Sequence, residues 1–275
     1  MKILVTGGAG RAGGVLCAGL AAAGHEVVCV DRSLRRAPGV DGRVADLRVR
    51  EAIYAHLDGV DTVVHLANHA NQWRADPQVL VAENTAMNVH VFQAAAEAGV
   101  RRVIFGSSVQ TISGAPLGAG ASAPPLPVYP LSGDSPPLPA NPYGLSKVMG
   151  ETMLRHYGER HGLDAVALRL PFLVHQPRGL ARQAAHMCAD TWPREGFSWL
   201  WMDDLAGLVL ALATGPEARP PGGAGYRCLL PSAPPMEALS EVREALARHP
   251  EARVAPCAVA GWSPTPLEAL PGALS

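Results

Sequence analysis

Short runs of Val, Ile and Leu recur along the first two thirds of the chain. They are KILVTG (2–7), HEVVCVD (25–31), DTVVHLA (61–67), RRVIFGSS (101–108) and DAVALRL (164–170). None alternates apolar with polar, as a strand wetted on one face would; continuous runs of this length suit strands covered on both faces. Between them lie segments whose apolar residues return every three to four positions, notably 11–23, 77–98 and 142–161, which is helical spacing. Strand–helix alternation of this kind predicts an α/β fold built on a doubly wound parallel sheet.

The rhythm breaks at 109–142. That stretch holds nine prolines among many Gly, Ala and Ser residues. Proline removes a backbone donor and fixes φ, so a long loop is expected, one that forms little core of its own. Beyond 171 the pattern weakens; helices are expected near 203–213 and 235–248, with a turn region at 215–225 between them. The predicted organisation is a core of residues 1–171 and a small substrate-binding region, 172–275, packed closely on it. Part of that second region is free to return to the core sheet.

Composition narrows the function classes. Of 275 residues, 48% are hydrophobic, enough for a sizeable core, and the formal net charge is −1. No basic stripe suggests nucleic acid and no polybasic run suggests an anionic membrane. No uninterrupted apolar stretch is long enough to span a bilayer, and MKILVTGGAG is not a signal peptide. The five cysteines, Cys17, Cys29, Cys188, Cys228 and Cys257, are odd in number, scattered and without a CxxC pair. They read as reduced thiols of a cytoplasmic protein, with no metal site.

The first strand run ends in Thr6-Gly7-Gly8-Ala9-Gly10-Arg11-Ala12-Gly13-Gly14. Gly7, Gly10 and Gly13 form a GxxGxxG spacing between strand and helix. In a Rossmann-type sheet such glycines permit the tight turn, the approach of backbone to a pyrophosphate and close helix–strand packing. The helix N-terminus then meets the phosphates. Asp31, ending the second run, can accept hydrogen bonds from the adenosine ribose and repel a 2′-phosphate, which predicts NAD rather than NADP. Arg32, Arg35 and Arg36 lie beside it, where guanidiniums could instead hold a 2′-phosphate; a solvated loop is the plainer reading. Arg11 either reaches a phosphate or lies on the helix surface.

Tyr143-Gly144-Leu145-Ser146-Lys147 opens the third helical segment. A spacing of four puts Tyr143 and Lys147 on one helix face. An ammonium beside a phenol is expected to lower the phenol's pKa toward working pH. Such a tyrosine can exchange a proton with an alcohol or carbonyl during hydride transfer. Ser107 and Ser108 end another strand, at the sheet edge where such folds bind ligands.

Together these motifs resemble the extended short-chain dehydrogenase/reductase family, also called the NAD-dependent epimerase/dehydratase family. The resemblance extends to Asp46-Leu47, His65-Leu66-Ala67, Asp76-Pro77 followed by Asn84, Met202-Asp203-Asp204-Leu205-Ala206 and Gly261-Trp262-Ser263-Pro264. It implies Ser108 as substrate hydroxyl donor, Tyr143 as acid/base, and Lys147 as its activator and a ribose contact. It implies that Gly7, Gly10, Arg11, Ala12, Gly13, Asp31, Arg32, Asp46, Leu47, Leu66, Ala67, Asn84 and Pro171 also line the cofactor, and that Ser107 is a further substrate contact. It implies a homodimer through two helices per subunit; consistent with that, 77–98 and 142–161 carry more apolar positions than one sheet-facing stripe needs.

The pattern also departs from the family. Members acting on nucleotide-diphosphate sugars carry Arg-x-x-Asn after the sixth strand; here the run is Arg169-Leu170-Pro171-Phe172, and the chain beyond is short for enclosing a nucleotide. SSVQTIS (107–113) instead resembles a stretch of uronate dehydrogenases, as does Trp199–Asp204 with Arg194 five residues before it. In that reading Arg194 holds a substrate carboxylate, although an ordinary surface arginine fits as well. His69 and His175 are pocket candidates whose plainer reading is structural or surface. The expected activity is an NAD-dependent oxidoreductase or epimerase on a sugar-like substrate. The alternatives are uronate-like sugar-acid oxidation and a non-catalytic NAD(P)-binding regulator. The 109–142 loop, joining Ser108 to Tyr143, is expected to be mobile and to close over the substrate.

Overall fold

The structure is a computed structural model, described over residues 1–33, 37–71, 73, 75–114, 125–176, 180, 184, 187, 191–215 and 225–270. Arg35, Arg36 and Cys188 lie outside the described residues, as do 115–124 of the proline-rich loop and most of the 215–225 turn region.

In chain order the elements are β1 (Lys2–Thr6), α1 (Arg11–Ala22), β2 (Glu26–Asp31), β3 (Val40–Val44), β4 (Thr62–His65), α2 (Pro77–Glu97), β5 (Arg102–Ser108), α3 (Pro142–His161), β6 (Asp164–Leu170), β7 (Phe172–Val174), β8 (Trp199–Trp201), α4 (Asp204–Thr214), β9 (Gly225–Leu229) and α5 (Ser240–Arg248). Seven strands form one sheet in the order β3-β2-β1-β4-β5-β6-β9, every neighbouring pair parallel. β7 and β8 make a separate parallel pair.

The predicted strands are the centre of this sheet; β5 is buried along its whole length. Its two faces carry two cores. Leu4, Val28, Val63, Val103 and Phe105 pack toward α2 and α3 on one side, while Ile3, Val5, Val64 and Ile104 pack toward α1 and α4 on the other. A third cluster, including Trp192, Phe197, Trp199 and Met236, lies wholly within the region after β6.

Two features differ from the expectations, and one answers a point the sequence left open. The edge strands β3 and β9 carry no apolar run, because an edge strand is only partly covered: β3 has no fully buried residue and β9 is half-buried throughout. β9 pairs with β6, so part of the later chain returns to the core sheet. α5 begins at Ser240, not 235, because Pro234 and Pro235 withhold donors and fix the preceding backbone.

The proline-rich segment is also less free than its composition suggests. Leu131 is fully buried with Val109, Ile112 and Leu230. Its N–H donates to Arg253 O, and its carbonyl accepts from Ala255 N. Leu138 N–H donates to Thr111 O. Loss of a regular ladder is thus offset by pairing with two other segments, and 129–141 is anchored at both ends. Among the described residues no helix is long and apolar enough to cross a membrane, and no three metal-ligating side chains cluster.

Candidate functional site

α3 brings the tyrosine and lysine to the end of β5. Pro142 supplies the first helical position, and the Asn141 carboxamide oxygen accepts from Gly144 N at 2.8 Å, a cap that fixes where the helix starts. Two glycines then set its distance from the sheet. A Cβ on Gly144 would lie 2.3 Å from Gln110 O, and one on Gly150 2.6 Å from the Phe105 ring. The close fit sets Tyr143 near Ser108, whose hydroxyl opposes the rise in the phenol's pKa. It also lets Lys147 reach over the Phe105 ring, 4.8 Å from its centroid, to donate to Gly106 O at 2.7 Å.

Ser107 is not part of this group. Successive residues of a strand face opposite ways, and the Ser107 hydroxyl donates to Glu151 Oε1 at 2.6 Å. Glu151 in turn pairs with Arg169 through Nε at 3.0 Å and Nη2 at 2.9 Å, while Arg169 Nη1 donates to Ser135 O at 2.6 Å. The family-like arginine near the end of β6 therefore braces α3, β5 and the returning proline-rich segment.

The electrostatics of the pair correct a simple expectation. Burial pushes the Tyr143 phenol up to about 12, the Ser108 hydrogen bond opposes this, and the Glu195 carboxylate adds to the rise. Lys147 does not counter it, because burial pulls its own pKa down to about 7, against a smaller upward pull from Glu151. A desolvated ammonium is a weaker activator than the spacing alone implies. Lys147 Nζ lies 5.7 Å from the Tyr143 ring centroid, and its protons go to Gly106 O and to Asn68 Oδ1 at 2.7 Å.

From Asn68 a buried network runs back to the glycine loop. Asn68 Nδ2 donates to Asn88 Oδ1 at 3.0 Å, and His65 Nε2 lies 3.0 Å from the same oxygen. His65 Nδ1 meets Thr6 Oγ1 at 2.7 Å, and Thr6 Oγ1 accepts from Leu66 N and Ala67 N. Burial first, then the Lys147 charge, holds His65 near 3, so the ring is neutral. Asn68, Asn88 and Thr6 were not candidates from sequence. Asn68 follows the HLA motif directly, but its reach to Lys147 depends on how β4 and α3 pack.

The glycine loop fits a dinucleotide. Gly7 has φ +73°, and a Cβ there would lie 2.7 Å from Ala67 N; one on Gly13 would lie 2.2 Å from Gly7 O. Among the described residues, a Cβ on Gly10 would meet Gly7 O at 3.1 Å. α1 starts beyond Gly10 with no side-chain cap and no acidic residue in its first turn, so its positive end carries no carboxylate of the helix's own. Arg11 is exposed and Ala12 half-buried at this end. Asp31 ends β2, half-buried, and braces the loop by accepting from Ala9 N at 3.1 Å and Ser33 N at 3.4 Å.

Other candidates sit less directly. Asp46 is gripped by Arg48, chiefly by the side-chain hydrogen bond, which holds its carboxyl near 2; the Arg32 charge contributes. Leu47 is buried in the core. Asn84 is fully buried, accepting from His69 N at 2.8 Å and donating to Ser146 Oγ at 3.0 Å. His69 Nε2 pairs with Glu83 at 2.7 Å. Pro171 is buried between β6 and β7, and His175 is exposed. Arg194 is half-buried, and its charge acts on Tyr129.

Sequence and structure comparisons agree with this geometry. The profile of the NAD dependent epimerase/dehydratase family matches residues 3–189. An L-arabinose 1-dehydrogenase (NAD(P)(+)) of Haloferax volcanii is 33% identical over 182 residues, 63% of this chain and 67% of that protein. A uronate dehydrogenase of Pseudomonas syringae is 29% identical over 212 residues, 76% and 68% of the two chains. A UDP-glucose 4-epimerase of Azospirillum brasilense is 33% identical over 178 residues, of which the match spans only 48% of its length. Among solved structures, a UDP-galactose 4-epimerase superposes with a TM-score of 0.65 at 26% identity, covering 85% of this chain and 77% of that one.

Proposed function

Because the chain belongs to the NAD-dependent epimerase/dehydratase family, we propose that it is an NAD-dependent dehydrogenase of a sugar-like secondary alcohol or hemiacetal, with Tyr143 as acid/base. The observation carrying this is the buried Lys147, its Nζ 5.7 Å from the Tyr143 ring centroid and bonded to Gly106 O at the end of β5, two residues before Ser108. Gly7, Gly10, Ala12 and Gly13 would hold the pyrophosphate, Asp31 the adenosine ribose and Lys147 the second ribose. The nicotinamide supplies hydride acceptance when bound. Ser108 orients the substrate oxygen by hydrogen bonding. Tyr143, as a phenolate favoured by whatever charge Lys147 carries, takes the proton from that oxygen and is left as the neutral phenol. The site is deep enough to exclude water, since Ser108 is 7% exposed and Lys147 3%.

Net oxidation is favoured over nucleotide-sugar epimerisation by one feature. The position where nucleotide-sugar enzymes would carry Asn is Phe172, which packs on Trp192 with ring centroids 6.1 Å apart and offers no polar group to a diphosphate. Mixing the protein with NAD and a panel of aldoses, uronates and nucleotide sugars decides between them. Stoichiometric absorbance at 340 nm supports the dehydrogenase; interconversion of epimers without net absorbance would replace it.

A further inference from the structure

Lys147 gives its protons to Gly106 O and Asn68 Oδ1, each at 2.7 Å. The first acceptor is backbone of β5 and comes with the fold. The second is a half-buried side chain, held in place by a network of hydrogen bonds whose directions follow from the chemistry of its members.

A charged lysine nitrogen only donates, so Asn68 turns its oxygen to Lys147. The Asn68 amide nitrogen then faces away and donates to Ala67 O at 2.8 Å and to Asn88 Oδ1 at 3.0 Å. Both of its protons and its oxygen are thereby engaged. With its own oxygen toward Asn68, Asn88 takes a second proton from His65 Nε2, 3.0 Å away. His65 is therefore the Nε2–H tautomer, and its Nδ1 accepts from the Thr6 hydroxyl at 2.7 Å. The Thr6 oxygen accepts from Leu66 N and Ala67 N, and Gly7 of the cofactor loop follows it directly. Thr6, His65 and Asn88 are fully buried. A satisfied network in a dry interior is rigid, so Asn68 Oδ1 is an acceptor fixed in advance from the glycine-loop side, independent of the lysine it meets.

Resting on the dehydrogenase reading, we propose that Asn68 is a positioning residue for Lys147: its carboxamide oxygen and Gly106 O hold the ammonium near the end of β5, with one proton left for the cofactor. An ammonium has three protons, and these acceptors take two. A hydrogen bond from a charged donor is stronger than one from its neutral form, so Asn68 favours the ammonium where burial favours the amine. The titratable groups around Lys147 are Tyr143 and Glu151 on α3, His65 on β4 and, through Glu151, Arg169 on β6. Glu151 supports the ammonium, and His65 stays neutral beside it. His69, next to Asn68, is tied to Glu83 on α2.

The protein has two lysines, Lys2 and Lys147, so isotope-labelled lysine gives two side-chain signals whose titration NMR follows directly, and Lys2→Arg identifies the Lys147 signal. Wild type, Asn68→Ala and Asn68→Asp are compared from pH 5 to 11. Asn68→Ala removes the acceptor, and the Lys147 midpoint should fall by about one pH unit, the worth of one hydrogen bond to a charged group. Asn68→Asp keeps an acceptor and adds a charge. Asn88, whose Nδ2 has no partner among the described residues, can turn to donate to that carboxylate, and the midpoint should rise by about one unit or more. Lys147 works as the ammonium, so its deprotonation sets an alkaline limb in kcat/KM for the sugar that reduces NAD. That limb should move to lower pH in Asn68→Ala and to higher pH in Asn68→Asp. A Lys147 midpoint unchanged in Asn68→Ala, shifts of the same sign in both variants, or an alkaline limb that stays put while the midpoint moves would each overturn the proposal. The NMR titration does not depend on the dehydrogenase reading: if no sugar reduces NAD, that reading fails and Asn68 is judged by the titration alone.

Discussion

Lys147 donates to two fixed acceptors, Gly106 O and Asn68 Oδ1, yet burial holds its pKa near 7 against an ordinary 10.5. Between those values an unfolded chain carries a proton that the folded one lacks. Stability attributable to this group therefore rises with pH across that window, and its penalty is fully present below about pH 7. Lys147→Met should consequently be most favourable relative to wild type near pH 6 and lose that advantage by pH 10, read as the difference in Tm. A difference independent of pH would show that the lysine is not desolvated. At Asp31 the expectation concerns the cofactor: Asp31→Ala should weaken NAD binding and relax rejection of NADP, measured by fluorescence titration. Tight NADP binding by the unaltered protein would contradict it. Ser108, Tyr143 and Lys147 were legible because their spacing and place at a strand end are local. Asn68 and Asn88 were not, because their roles arise only when distant segments pack.

Among the elements, α3 carries the most. It places Tyr143 and Lys147 through its Asn141 cap and its close approach to β5, and one turn further on it carries Glu151. The Glu151–Arg169 pair is almost fully buried on both sides. Removing one partner of a buried pair leaves the other unpaired, at a cost of about 3–5 kcal/mol. Arg169→Met should therefore lower denaturant stability by about that much, and it should also loosen the segment around Ser135, visible as faster amide exchange there. Unchanged exchange near Ser135 would separate the ion pair from the loop. Strands covered on both faces could be read from their Val, Ile and Leu runs. The edge strands β3 and β9 could not, since partial burial leaves no run to detect, and β7 and β8 could not because a run of three residues is too short to identify a strand. The anchored half of the proline-rich segment was hidden for another reason: Leu131 is a lone apolar residue whose partners lie at 109–112 and 253–255.

At the scale of the molecule, one parallel sheet gathers the glycine loop, Asp31, Ser108 and the α3 pair at the same edge, where ligands bind in such folds. α2 and α3 pack side by side, and Val79 and Leu145 stay exposed on them. We expect two copies to meet there through an isologous interface, so light scattering should give twice the monomer mass. Leu145→Glu should shift the population toward monomer; a wild-type protein that is monomeric at micromolar concentration would refute this. Part of 109–142 is anchored through Leu131 and Leu138, and residues 115–124 of the expected lid lie outside the described residues. Replacing residues 115–124 with a Gly-Ser linker should raise KM and leave the fold intact; unchanged turnover and affinity would remove the lid.

The central claim is that Tyr143 moves the proton while the rest of the site binds. It is tested most directly by following NAD reduction at 340 nm for wild type and Tyr143→Phe, with NAD affinity measured in parallel. We expect unchanged NAD binding and a turnover lower by about a hundredfold or more. Equal turnover in the two proteins would contradict the account.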